Sequence, residues 1–411
     1  MRLSDVTHLK VLEERLLAGD APDSLSVPIH LKCLKLGDIG GRIKAMDAYY
    51  FETIVPKLTR LNCVYWELAF LPDDFSWLLA CKELKSVHLL PGSNTTTPDD
   101  EWMGRLPQLI QFTNLTHFSL YSYNLPRRFN ERYTTYSEPF TSLLRSSPNL
   151  ESFILSFEGE GEPYFPTPIL EALDNQFILP RLHTFHILGD ADPDWIGFIS
   201  KRTHPLRAFL ARHPTIQDLK IGCPMDDISS DGMDPDELSC LLPSVTHLAC
   251  PVFLCEAVVT SKLARQLKSL AISNPHLGDL DDNPFDSIVQ KMTGNALPNL
   301  RKLSIWDELC YYSLEVRVLQ AFFLAAKGLE ELEFRIGVDD YDGFLFVLGQ
   351  AKNLRRIKIA YDQFRDSEDS WESFVMRLAG RCPRLETITD YYGAHTKIVR
   401  DDSGRPSVGQ T

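Results

Sequence analysis

Apolar residues recur along the chain in a short motif, apolar-x-x-apolar-x-apolar. We count fourteen copies at an even spacing of about 29 residues, a period typical of repeat proteins. The copies begin at Val6, Leu31, Leu58, Leu84, Leu115, Leu150, Leu182, Ile216, Val245, Leu267, Leu300, Leu329, Leu354 and Leu385. The spacing therefore predicts a protein built from stacked repeats rather than two or three unrelated domains.

The residue two places before the first apolar position is biased. It is proline in seven copies, and Lys or Arg in four others. The prolines are Pro56, Pro148, Pro180, Pro214, Pro243, Pro298 and Pro383. Proline ends a helix and tolerates the entry of a strand, where its missing N–H is harmless. The bias therefore predicts a helix before each motif and a strand within it.

The second and third apolar residues of a copy are two apart, so they share one face of a strand. Apolar residues between copies have helical spacing, as in Val318, Leu319, Phe322 and Phe323. One strand and one helix cannot bury their own apolar faces, whereas stacked neighbours can. We therefore predict an α/β solenoid over residues 1–392, with a parallel concave sheet and convex helices. A polar tail, residues 393–411, is expected to be disordered.

The segments LPRLHTFHIL (179–188), LPNLRKLSIW (297–306) and CPRLETITDY (382–391) resemble leucine-rich repeats of fungal F-box/leucine-rich-repeat-like proteins. The usual Asn or Cys of the turn is replaced, for example by Trp66, which predicts an irregular solenoid. In that family an N-terminal F-box docks on the Skp adaptor of a ubiquitin ligase, and the solenoid selects the protein to be ubiquitinated. The resemblance implies a substrate-recognition solenoid.

No F-box is visible, because the first motif begins at Val6. We expect that the module is absent or truncated, and that the Skp adaptor is a partner only if an F-box exists upstream. The alternative is a stand-alone leucine-rich-repeat scaffold or inhibitor-type binding protein with no ubiquitin link. A fold does not by itself decide between these functions.

Composition and motifs narrow the function further. The formal net charge of −14 disfavours nucleic acid and anionic membranes as partners, and no apolar stretch is long enough to span a bilayer. The nine cysteines are scattered, which favours free thiols in the cytoplasm or nucleus. A phosphate-binding glycine loop, a GxSxG nucleophile motif and an HExxH zinc motif are all missing from the sequence. We therefore expect a non-enzyme without a cofactor.

Two short motifs could bind metal, but each has a simpler explanation. His183 and His186 are three apart in a predicted strand, so they lie on opposite faces. Residues 227–232 resemble the start of a calcium loop, but the twelfth position is Leu238 and Glu237 is one residue short. We expect a solvated acidic loop there and predict no metal site.

A long insertion, residues 121–138, is a candidate binding loop. It carries Arg127, Arg128 and Arg132 among four tyrosines, a composition found in protein-binding and phosphate-binding patches. The alternative is a flexible loop whose tyrosines cover neighbouring turns.

The predicted concave face is more basic than the chain. Its outward strand positions hold eight Lys or Arg and three Asp or Glu. Concave faces of repeat proteins are their usual binding surfaces, so this excess favours an acidic or phosphorylated protein partner. The candidate binding residues on this face are Lys35, Arg60, His186, Lys220, Lys302, Trp306, Arg335, Arg356 and Lys358.

Overall fold

The computed structural model describes residues 1–18, 27–37, 43, 47–68, 70, 75–90, 107, 110–122, 133–157, 163–223, 233–273, 285–292, 297–306, 314–335, 340–359, 370–390 and 393–409. They form two compact units, Met1–Asp194 and Trp195–Thr411. In both units short strands alternate with helices, and strands that follow one another along the chain pair in parallel, apart from a hairpin at the end of unit 2.

Unit 1 contains seven strands and six helices within the described ranges. Its strands are β1 (Arg2–Leu3), β2 (Cys33–Gly37), β3 (Cys63–Glu67), β4 (Ser86–Leu89), β5 (His117–Ser122), β6 (Ser152–Phe157) and β7 (Thr184–Gly189). Its helices are α1 (Val6–Ala18), α2 (Val27–His30), α3 (Tyr49–Ile54), α4 (Ser76–Leu79), α5 (Tyr133–Ser146) and α6 (Thr167–Glu171), with a 3-10 turn at Val55–Lys57.

Unit 2 contains nine strands and eight helices within the described ranges. Its strands are β8 (Asp218–Ile221), β9 (His247–Pro251), β10 (Ser269–Ser273), β11 (Lys302–Trp306), β12 (Glu331–Arg335), β13 (Arg356–Ile359), β14 (Thr387–Asp390), β15 (His395–Arg400) and β16 (Pro406–Val408). Its helices are α7 (Trp195–Ser200), α8 (Pro205–Arg212), α9 (Pro235–Leu241), α10 (Val252–Thr260), α11 (Asp286–Met292), α12 (Val316–Ala325), α13 (Tyr341–Leu348) and α14 (Trp371–Arg381), with a 3-10 turn at Lys262–Arg265.

The motif residues form continuous apolar rows across the paired strands. In unit 1, Phe118, Phe153 and Phe185 are in register on β5, β6 and β7, and neighbouring rings are 6.0 Å apart. In unit 2, Leu303 is in register with Leu270 on one side and Leu332 on the other, and all three are at most 1% exposed. These rows pack towards the helices, so the α/β leucine-rich-repeat fold predicted from the sequence is confirmed.

The prolines of the motif occupy a tight turn between helix and strand. The N–H of Leu150 donates to the carbonyl of Ser147 at 3.0 Å, and Pro148 lies directly after the acceptor residue. The same bond joins Leu300 to Leu297 around Pro298 at 3.1 Å. Proline favours this second position of a β-turn because its fixed φ suits the turn and no N–H is needed there.

Asparagine side chains connect consecutive turns in unit 2. Nδ2 of Asn299 donates to the carbonyl of Arg265 at 2.6 Å, and Nδ2 of Asn353 donates to the carbonyl of Lys327 at 2.9 Å. Both asparagines precede the first leucine of their motif. They lie in the turn that enters the strand, so polar links between repeats occur where the sequence analysis did not expect them.

Two of the fourteen predicted strand positions are wrong. The copy at Val6 lies in helix α1, where Leu9 and Leu12, three apart, are buried and Val11 is 44% exposed. The apolar spacing there fits a helix as well as the motif, and the apolar run continues to Leu17. The copy at Leu58 is shifted by three residues, because β3 begins at Cys63 and buries Val64 and Trp66.

The C-terminal segment is ordered, contrary to the prediction of a disordered tail. Strand β15 pairs antiparallel with β14 and then with β16. Ile398 is 7% exposed, and the guanidinium of Arg400 donates to the carbonyls of Ala379 and Cys382, at 2.9 and 2.8 Å, at the end of α14. The hairpin therefore caps the apolar edge of the last repeat.

Among the described residues, no helix has both the length and the apolar character that crossing a membrane requires.

Candidate functional site

The side of each sheet that faces away from the helices carries the polar strand residues. We call this side the open face; it corresponds to the concave face of the sequence analysis. Parallel strands lie about 4.8 Å apart, so residues in register form rows across the open face. The side chains of one row can therefore contact each other along the sheet.

In unit 2 the open face of β11, β12 and β13 is a network of ion pairs. The carboxylate of Glu333 lies between two ammonium groups, 3.4 Å from Nζ of Lys302 and 2.7 Å from Nζ of Lys358. Arg356 pairs with Glu331 in the adjacent row. Three of the predicted binding residues, Lys302, Arg356 and Lys358, therefore lie together, as the motif register implied.

The two acidic residues between these cations change the electrostatics of the face. Burial by itself raises the pKa of the Glu333 carboxyl, but the hydrogen bond and charge of Lys358 and the charge of Lys302 outweigh it, so the pKa lies below its usual value. Glu333 is therefore ionised at neutral pH and neutralises part of the positive charge. The side chains of Lys302, Lys358 and Arg356 remain 43%, 40% and 62% exposed.

The C-terminal hairpin extends this face beyond the repeats. Thr387 of β14 is in register with Arg356 on one side and Lys397 on the other. Thr389 is likewise flanked by Lys358 and His395, and its Oγ1 lies 2.9 Å from Nδ1 of His395. Lys397 and His395 are not among the predicted binding residues, because the polar composition of residues 393–411 predicts a tail. The β-branched residues Thr396, Ile398 and Val399 are the sequence signal that indicates a strand here.

The open face of unit 1 has a different character. Lys35 pairs with Glu67, and its Nζ lies 5.6 Å from the centre of the Tyr65 ring. Tyr65 stacks on His88 with ring centres 4.2 Å apart, and Nδ1 of His88 lies 2.7 Å from Oγ of Ser119. Burial, and then the charge of His117, lowers the pKa of His88 to about 4, so this imidazole is neutral. Lys35, a predicted binding residue on this face, is therefore already paired, with Glu67.

The other predicted face residues do not form one site. Arg60 is exposed in the turn before β3, outside the strand, because the third motif is shifted. His186 lies on β7 but is only 5% exposed, so its side chain offers little surface to a partner. Lys220 lies on β8, the first strand of unit 2, and β8 is five strands away from β13 in the strand order. Trp306 and Arg335 end β11 and β12, and their side chains lie outside the described part of the structure.

The loop candidates are placed only in part. Arg127, Arg128 and Arg132 lie outside the described residues, and helix α5 begins directly after them. Residues 227–232, the start of the calcium-like segment, also lie outside them. Glu237, which the calcium pattern would need one position later, is instead on helix α9, with its Oε1 2.6 Å from the guanidinium of Arg207.

The histidine and cysteine residues carry no metal arrangement within the described ranges. No group of three His, Cys, Asp or Glu side chains is placed there to hold a metal ion. The eight described cysteines are free thiols. Cys250 and Cys255 lie with their Sγ atoms 3.9 Å apart, and the hydrogen bond between them, together with burial, raises the pKa of the Cys255 thiol.

Comparison with known proteins gives structural likenesses only. No protein-family model and no curated protein sequence matches the chain significantly. The leucine-rich repeat-containing protein LegL7 from Legionella pneumophila is 16% identical, with a TM-score of 0.42, covering 75% of this chain and 90% of LegL7. A chain of the yeast Rad7 and Elc1 complex is 13% identical, with a TM-score of 0.46, covering 88% of this chain and 76% of that one. The repeat fold assigned above follows from the strands and their register and does not depend on these likenesses.

Proposed function

We propose that this chain is a non-catalytic protein-binding module and that the open face of unit 2 binds its partner. The observation that supports this is a network of charges on β11, β12 and β13, in which the exposed cations Lys302, Arg356 and Lys358 are held by the half-buried Glu331 and Glu333. Charges that are already held in place by neighbours lose little side-chain freedom on binding.

We further propose that the partner segment is acidic or phosphorylated. Lys302 and Lys358 both pair with the carboxylate of Glu333, so these two lysines and this glutamate together carry one net positive charge. An anionic group from a partner can approach either ammonium from the exposed side. Complementary charge of this kind governs partner choice and association rate more than affinity.

The proposed cellular role is substrate recognition in an F-box-type ubiquitin ligase. It is supported by the resemblance of the repeats 179–188, 297–306 and 382–391 to those of F-box/leucine-rich-repeat-like proteins. The free thiols favour a reducing compartment, the cytoplasm or nucleus. Binding of the purified chain to the Skp adaptor of the same organism tests this role. No binding by the full-length transcript product would favour the scaffold function without a ubiquitin link.

A charge-reversal pair tests the binding face. Arg356→Glu with Lys358→Glu should reduce the amount of partner protein that co-purifies with the full chain. Lys262→Glu with Arg265→Glu is the matched control, because it makes the same charge change in unit 2, on the 3-10 turn beside the helices. Co-purified proteins are compared by quantitative mass spectrometry at low salt, where exposed charges are least screened. Equal recovery with the two double variants would refute the assignment of this face.

A further inference from the structure

We infer that the C-terminal hairpin completes the binding face of unit 2, and that the completed site binds an extended peptide with carboxylate side chains at alternate positions. This inference rests on the proposed function, because it concerns the same face. It adds residues of β14 and β15 that the repeat motif does not include.

The register of the hairpin produces a small grid of polar side chains. One row runs Arg356, Thr387, Lys397, and the next runs Lys358, Thr389, His395. Each row has a hydroxyl in the middle and a basic side chain on both sides. Hydroxyl and cationic donors together are the groups that bind carboxylate oxygens.

The hairpin side of the grid carries positive charge without acidic neighbours. The cations Lys302, Arg356 and Lys358 each have a glutamate partner, Glu331 or Glu333. On β14 and β15 the open-face positions are Thr387, Thr389, His395, Lys397 and Val399, none of them acidic. Lys397 is exposed and has no ion pair within the described part of the chain. An anionic peptide is therefore drawn to the hairpin side, where none of the described glutamates pairs with Lys397.

The spacing of the cations favours several separate carboxylates over one phosphoryl group. Arg356 and Lys397 are two strands apart, roughly 9.6 Å between backbones, and each row is about 6.6 Å from the next. Alternate side chains of an extended peptide are also about 6.6 Å apart. A single phosphate would need its cations to converge on one point, whereas these side chains start from positions spread over the grid.

The hairpin is held firmly enough to present this site before a partner binds. Arg400 donates to two carbonyls at the end of α14, and Nε1 of Trp371 lies 3.3 Å from Oγ1 of Thr396. Ile398 is buried between these contacts. The core-facing residues of β15 thus fix its backbone, and Lys397 and His395 project from the opposite side.

Fluorescence anisotropy with the full chain and labelled ten-residue peptides tests the inference. The first peptide alternates Glu and Ser, the second has the same composition with its Glu residues contiguous, and the third is Ser and Gly with one phosphoserine. We expect the alternating peptide to bind tightest. Lys397→Glu should weaken its binding roughly three- to tenfold at low salt, the range expected for reversing one exposed charge. Lys397→Gln should have a smaller effect, and Lys262→Glu, the matched control, almost none.

The outcomes separate this inference from the proposed function. If the alternating and contiguous peptides bind equally, or if Lys397→Glu behaves like Lys262→Glu, the inference is wrong. Tightest binding of the phosphoserine peptide would overturn the assignment of carboxylates. Each of these results leaves the proposed function standing as long as Arg356→Glu with Lys358→Glu still reduces the amount of partner protein recovered. A melting temperature for Lys397→Glu equal to that of the unmodified chain confirms that the loss is not unfolding.

Discussion

Replacing Leu303 with alanine should destabilise unit 2 far more than replacing its neighbour Lys302. Leu303 is 0% exposed and lies in the apolar row between Leu270 and Leu332. Lys302, one residue earlier, points to the open face and is 43% exposed. The two substitutions therefore test the register of a single strand.

The expected magnitudes follow from these environments. Leu→Ala in a packed core costs about 2–5 kcal/mol, because the lost burial is added to the cavity that remains. Strand β11 is hydrogen-bonded on both sides, so its backbone cannot move to close the cavity, and we expect about 3 kcal/mol or more for Leu303→Ala. Lys302→Ala removes one exposed ion pair with Glu333 and should cost less than about 1 kcal/mol.

Equilibrium urea unfolding followed by circular dichroism measures both changes. The midpoint of the transition should fall clearly for Leu303→Ala and remain nearly constant for Lys302→Ala, with an unchanged slope in each case. A changed slope would indicate that the repeats no longer unfold together. Equal costs for the two variants would refute the assignment of Leu303 to the buried face and of Lys302 to the open face.

Two further predictions concern charged side chains. Glu237→Gln should lower the free energy of unfolding by about 3 kcal/mol, because it leaves the buried guanidinium of Arg207 without its anionic partner. Arg202 contacts the same carboxylate but is 88% exposed, so Arg202→Ala should lower it by less than about 1 kcal/mol in the same urea assay. The pKa of Glu333 is lower in the folded chain than its ordinary value of 4.5. The contribution of Glu333 to stability is therefore fully present above pH 4.5 and is lost as the pH falls through the lowered pKa of the folded chain. The stability difference between the unmodified chain and Glu333→Gln should therefore shrink from pH 7 to pH 3, and a constant difference would contradict the ion-pair geometry.

Most of the fold follows from the motif because its apolar spacing has a direct structural meaning. Residues such as Leu303 and Ile305 are two apart and both 0% exposed, as one face of a buried strand requires. The same rule fails at the N-terminus, where Val6 and Leu9 satisfy the first spacing of the motif although Leu9 and Leu12 lie one helical turn apart and are both buried. Three-residue spacing alone does not distinguish a strand of the repeat motif from a helix; only the length of the apolar run does.

The candidate site was predictable in position but not in charge. The motif places Lys302, Arg356 and Lys358 on one face, and the structure brings them together. A count of basic and acidic residues cannot show that Glu333 bridges two of the lysines, because that depends on side-chain geometry between strands. It also cannot show that His186 is buried, since exposure depends on segments distant in sequence.

The C-terminal hairpin shows why a polar composition is weak evidence for disorder. Residues 395–400 alternate between the two sides of a strand, and Ile398 is the one buried apolar side chain among them. That single side chain would not stabilise an isolated strand. Here the edge of β14 supplies backbone partners, and the exposed end of α14 supplies carbonyl acceptors for Arg400. A short polar segment can therefore fold when a repeat stack leaves an open edge, because the edge supplies the missing contacts. The same reasoning explains why Lys397, which no repeat contains, comes to lie beside Thr387 on the open face.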